Sequence, residues 1–131
     1  GTMDNSDFGV ILRVENIDIC RSFYRDILNL GCPVLDSNFW VEFKLPGGFS
    51  LALERKEKEE KLPECMGRIS WLCKVDDVNT AIERLGQFGY EYLNVEEHKM
   101  GFKLYMFCDP EGNPFYLRSD IEKKNQAGRA P

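Results

Sequence analysis

The stretch Cys108-Asp109-Pro110-Glu111-Gly112-Asn113-Pro114-Phe115-Tyr116-Leu117 decides how the rest of the chain is read. Asp-Pro-Glu-Gly-Asn is turn chemistry. Proline presets φ at the first central position, glycine permits positive φ, and Asp and Asn bond to nearby backbone. Apolar runs flank it, Phe102-Lys103-Leu104-Tyr105-Met106-Phe107 before and Phe115-Tyr116-Leu117 after. The pattern predicts a hairpin with a loop longer than two residues. Tyr116, on the outgoing strand, is the position to follow.

Upstream, Trp71-Leu72-Cys73-Lys74-Val75 closes a strand predicted from Arg68, with Ile69, Trp71, Cys73 and Val75 on one face. Asp76 or Asp77 caps a helix bearing Val78, Ala81, Ile82, Leu85 and Phe88, stopped at Gly89. Strands are predicted over 90–95, 102–107 and 113–118. The same series occurs earlier. Phe8 to Val14 is a strand, and Asn16 or Asp18 caps a helix with Ile17, Cys20, Phe23, Tyr24, Ile27 and Leu28 at helical spacing, stopped at Gly31. Pro33-Val34-Leu35, Asn38 to Leu45 and Phe49 to Glu54 follow as strands, the last two joined by the Pro46-Gly47-Gly48 turn. The halves align as an internal repeat with a shift of roughly 61 positions.

The predicted fold class is therefore α+β, two tandem β-α-β-β-β modules. The boundaries are an N-terminal tail and tag scar (1–7), a first module (8–54), a charged linker (55–67), a second module (68–118) and a polar C-terminal tail (119–131). Gly1-Thr2 ahead of Met3 reads as the scar, so the native chain is expected to begin at Met3, with no signal peptide.

With 131 residues, 43% of them hydrophobic, the chain can bury a core. No apolar run approaches the ~18 residues of a membrane span. A net charge of −5 argues against nucleic acid and anionic membrane surfaces as partners. The five cysteines are odd in number and form no CxxC pair, which fits a reducing, cytoplasmic setting.

A sheet buries one face against its helix. Val10, Leu12, Leu51, Leu53, Ile69, Trp71, Phe115 and Leu117 fit that role. The opposite face carries Gly9, Ile11, Arg13, Ala52, Glu54, Ser70, Leu72, Lys74, Tyr116 and Arg118, a mixture suited either to a ligand cleft or to a plain solvated face. Trp40 and Tyr105 join the candidate cleft residues, their strand faces being open at this stage. Arg13, Lys74 and Arg118 either bind an anion or pair with Glu54, Glu42 or water. No GxSxG, P-loop, GxGxxG or Cys–His pairing is present, so the catalytic residues are unassigned.

Two segments in the right order, Val10-Ile11-Leu12-Arg13-Val14 with Ser22-Phe23-Tyr24-Arg25-Asp26-Ile27-Leu28-Asn29-Leu30-Gly31, and Asp109-Pro110-Glu111-Gly112-Asn113-Pro114, resemble the glyoxalase, bleomycin-resistance protein and extradiol-dioxygenase superfamily. The resemblance runs from Phe8 to Ser119. It implies paired modules with sheets curled around a cleft, commonly completed in a homodimer. In metal-dependent members four cleft positions supply His, Glu or Gln. Matched motif to motif, they fall here on Gly9, Ala52, Ser70 and Tyr116, which make a poor ligand set. The one histidine, His98, is expected in a surface loop, Glu96-Glu97-His98-Lys99. Glu42, Glu54 and Asp7 lie near enough to enter the site if the register slips, but the first-strand positions still lack histidine.

The resemblance thus implies a small-molecule-binding protein of the bleomycin-resistance type, sequestering a drug or metabolite, with no metal and no cofactor. The alternative is a lyase, isomerase or dioxygenase of the same superfamily. It would use Tyr116, Glu54 or Arg13 without metal, or a metal held elsewhere.

Overall fold

A computed structural model describes residues 7–59 and 69–120. The chain divides into two compact units, residues 1–64 and 65–131. Each carries one four-stranded mixed sheet and one helical segment, so the class is α+β with two tandem modules.

In the first unit β1 (Phe8–Val14) leads into α1 (Ile17–Ser22), and then β2 (Leu35–Asp36), β3 (Trp40–Leu45) and β4 (Phe49–Arg55) follow. The sheet order is β1-β4-β3-β2, with β1 parallel to β4 and the other pairs antiparallel. Asn16 is the cap, its side chain accepting the Ile19 N–H at 3.1 Å, one of the donors a helix start leaves unpaired. Asp18 instead takes Arg21, whose guanidinium also reaches Asp36 and the Ser37 carbonyl, each at 2.7 Å. That side chain ties the helix to the turn before β3.

The predicted helix over 17–28 is α-helical only to Ser22. Phe23–Ile27 widens into a π turn, with Leu28 N–H donating to the Phe23 carbonyl at 2.7 Å. The wider turn puts two consecutive aromatics inward: Phe23 and Tyr24 are both buried, meeting edge to face at 5.0 Å. Val14, Ile17, Cys20, Val41, Phe43, Leu51 and Leu53 complete this core. Each fully buried large apolar side chain contributes about 1.5–3 kcal/mol relative to exposure.

In the second unit β5 (Trp71–Lys74) precedes α2 (Val78–Gln87), then β6 (Asn94–His98), β7 (Phe102–Cys108) and β8 (Pro114–Asp120), in the order β5-β8-β7-β6. Asp77, not Asp76, caps α2, accepting from Thr80 N at 3.2 Å and Thr80 Oγ1 at 2.8 Å. The core is Val78, Leu85, Phe107, Phe115 and Leu117, with Trp71 stacked on Phe115 at 4.7 Å. The Asp109 loop turns as its sequence demands. Its buried carboxylate accepts from Glu111 N and Asn113 N, both at 2.9 Å, and Gly112 has φ 83°.

Four expectations are corrected. Ile69 precedes the ladder and is 79% exposed, so it is not core. The strand expected over 90–95 begins only at Asn94, because Tyr92 turns its ring edge-on to Tyr105 and Phe107 before the ladder starts. What pairs instead is Asn-Val-Glu-Glu-His, a charged strand at a sheet edge, where charge discourages pairing with other chains. His98 therefore ends a strand and is not in a loop. Finally, β8 runs through Ser119 and Asp120, two residues assigned to the tail. The rest of that tail, the N-terminal tail to Ser6 and most of the linker, residues 60–67, lie outside the described residues.

Candidate functional site

Cross-strand register sorts the candidate residues by face. On the first sheet Ile11 pairs with Ala52, Arg13 with Glu54, Trp40 with Glu54, and Glu42 with Ala52. Gly9, Ile11, Arg13, Ala52, Glu54 and Trp40 thus share the face turned away from the buried Val41, Phe43, Leu51 and Leu53. Glu42, Lys44 and Ser50 join them. The alternation Trp40-Val41-Glu42-Phe43-Lys44-Leu45 already carried this signal: of the interleaved apolar residues, Val41 and Phe43 are buried in the core.

On the second sheet Leu72 pairs with Tyr116, Lys74 with Arg118, and Met106 with Tyr116, placing these together. Ser70 lies just ahead of β5 and is exposed. Tyr105 pairs with Leu117 and stands on the other face, its ring 5.3 Å from that of Tyr92. It does not share a face with Tyr116. Every residue from Phe102 to Phe107 except Lys103 is apolar, so alternation alone had nothing to sort.

The first sheet's outward face is hollowed. A depression of about 340 Å³ is lined by Phe8, Gly9, Ile11, Trp40, Glu42 and Ala52, among others. That is at the lower end of the range of ~300–1,000 Å³ typical of ligand pockets. Its floor exists because small residues stand at its centre. Ala52 is 3% exposed, and a Cβ built on Gly9 would lie 2.5 Å from the Ser50 carbonyl oxygen. Strand β1 approaches β4 so closely there that only glycine fits. Above the floor the indole N–H of Trp40 donates to Glu42 Oε1 at 3.0 Å, and Lys44 pairs with Asp7 at 3.1 Å on the rim.

The three cations considered for anion binding all have carboxylate partners. Arg13 Nε lies 3.2 Å from Glu54 Oε1, Lys74 Nζ 2.8 Å from Asp120 Oδ2, and Arg118 Nε 3.0 Å from Asp120 Oδ1. Arg118 also covers the Phe102 ring at 4.2 Å. The hydrogen bond from Lys74, with a second from Arg118, holds the Asp120 carboxyl below its ordinary range. His98 stacks on Phe102 at 4.7 Å and its Nδ1 accepts the Met100 N–H at 3.2 Å. Burial pushes the thiols of Cys73 and Cys108 up, Asp109 adding to the effect at Cys108, so neither is an activated nucleophile.

The metal centre implied by the resemblance does not fit these residues. At Gly9 a side chain would enter backbone, Ala52 has no donor atom, and Ser70 and Tyr116 bring only hydroxyls. Among the described residues no three of His, Cys, Asp and Glu gather in a way that holds an ion. No helix among them is long and apolar enough to cross a membrane.

The sequence profile described as "Glyoxalase/Bleomycin resistance protein/Dioxygenase superfamily" matches residues 9–117. No functionally curated protein matches significantly. Among solved structures, the lactoylglutathione lyase of Agrobacterium tumefaciens is similar at 21% identity and TM-score 0.69, covering 88% of this chain and 93% of that one. A glyoxalase family protein from Enterococcus faecalis is similar at 22% identity and TM-score 0.70, covering 88% and 98%. A glyoxalase / bleomycin resistance protein from Catenulispora acidiphila is similar at 18% and 0.65, covering 86% and 96%. At these identities the likeness is one of fold.

Proposed function

The chain belongs to the Glyoxalase/Bleomycin resistance protein/Dioxygenase superfamily, and we propose on that premise that it binds a small organic molecule without the aid of a metal ion. The observation that carries this reading is the apolar depression on the first sheet. It opens where metal-using relatives would place donor side chains, and here holds Gly9 and Ala52 instead. A concave, largely apolar hollow with a few polar groups is what a small-molecule site requires.

In this reading the protein sequesters a drug or metabolite, as a homodimer in the cytoplasm. Among the described residues Cys20, Cys32, Cys73 and Cys108 form no disulfide, which suits a reducing compartment. Phe8 and Ile11, each more than half exposed on the edge strand β1, leave apolar surface for a ligand or a second copy to cover.

The test combines metal analysis with a ligand screen. Purified protein incubated with manganese, nickel and zinc and then desalted is expected to retain substoichiometric metal. A library compound that raises the melting temperature is expected to be recovered unchanged. Tightly held stoichiometric metal would sink the proposal. So would turnover that disappears in Tyr116→Phe, which would make the protein an enzyme. A monomer by light scattering would remove the homodimer from it.

A further inference from the structure

The charges inside the depression do not cancel. Lys44 is held by Asp7, whereas Glu42 receives only the Trp40 indole N–H and has no cationic partner among the described residues. Glu42 sits across from buried Ala52, in a hollow whose lining also includes Ile11, Trp40, Ser50, Lys44 and Asp7. A carboxylate offers about four acceptor positions and the indole fills one. Such an anion gains most from a partner that brings both a hydrogen-bond donor and a positive charge. The indole face beside it favours flat rings and cations.

We propose that the depression selects ligands with a flat apolar body and a protonated nitrogen, the nitrogen on Glu42 and the body against Trp40 and Ile11. This rests on the reading of that face as the binding site and adds the chemical class that it takes. The other charged groups on the face leave the selection to Glu42, since Arg13 and Glu54 pair with each other, as do Lys44 and Asp7.

Three probes of one shape test it: 2-naphthylmethylamine, 2-naphthylmethanol and 2-naphthoate, titrated calorimetrically into the full chain at neutral pH. The amine is expected to bind about tenfold tighter than the alcohol, because both can donate to the carboxylate but only the amine also meets it with a full positive charge. Naphthoate is expected to bind more weakly than either. Glu42→Gln keeps the shape and the acceptor for Trp40, and is expected to abolish the difference between amine and alcohol. Equal binding of amine and alcohol by the parent protein, or an amine preference that survives Glu42→Gln, overturns the proposal. If the alcohol still binds in that case and is lost in Trp40→Ala, the face remains the binding site and only the charge rule fails. Absence of binding by all three overturns the ligand class, and the library screen then judges the site by itself.

Discussion

Replacing Gly9 by alanine adds one methyl group at the point where β1 and β4 come closest. The added Cβ would lie 2.5 Å from the Ser50 carbonyl oxygen, 3.0 Å from Ser50 Cβ and 3.2 Å from the Ser50 carbonyl carbon. Two of those three atoms are backbone of a strand paired on both sides, so the relief must come from moving a ladder and not a rotamer. Overpacking of this kind costs about 1–3 kcal/mol. Removing a glycine returns about 0.4–1 kcal/mol by narrowing the unfolded ensemble. The net expectation is a loss of about 1–2 kcal/mol, or roughly 3–10 °C in melting temperature for a chain of this length.

Gly86 supplies the control. It lies inside α2, where the nearest atom to an added Cβ is Glu91 Oε1 at 3.4 Å, the movable end of a side chain. Gly86→Ala is expected to stabilise by about 0.5–1 kcal/mol, the helix-propensity gain of alanine over glycine. Urea titration of both variants, followed by far-UV circular dichroism, reads the two signs directly. If Gly9→Ala matches or exceeds the parent in stability, the close approach of β1 to β4 is wrong. With it falls the reason that a donor side chain cannot be placed at this position.

Two further expectations concern carboxylates. Asp109→Ala strips acceptors from Glu111 N, Asn113 N and Asn113 Nδ2, each now at 2.9 Å from the buried carboxylate, and should cost about 2–4 kcal/mol by urea titration. A loss below about 0.5 kcal/mol would mean that the β7–β8 loop is held by something else. Asp120 carries a lowered pKa because Lys74 and Arg118 hydrogen-bond its charged form. Its contribution is therefore complete above the ordinary carboxylate range and is lost as pH falls through the depressed folded value. The stability gap between the parent and Asp120→Asn should close as the protein is acidified through that window. A gap that widens on acidification contradicts the assignment.

Much of this protein is legible without its structure. Local chemistry suffices for a cap, a turn or a half-buried strand. Asn16 and Asp77 lay within the predicted caps, the Asp109 loop follows from its turn residues, and alternation in β1, β3 and β4 separates Val41, Phe43, Leu51 and Leu53 from their neighbours. The repeat then orders these elements into two modules, because each sheet needs one helical layer to cover it. Tertiary structure decided what local chemistry leaves degenerate. β7 is apolar at nearly every position, so only pairing with β8 shows that Tyr105 turns with Leu117 and away from Tyr116. The charged edge strand β6 was eclipsed by the more apolar residues before it, since an edge position rewards charge where a central one rewards apolarity. The partners of Arg13 and Lys74 depend on which side chains meet across strands far apart in sequence, whereas Arg118 and Trp40 meet Asp120 and Glu42 two positions along their own strands. Gly9 shows the same division. The sequence by itself determined that no donor stands there, and only the packing of β1 on β4 decided that none fits, because 2.5 Å is less than any side chain needs.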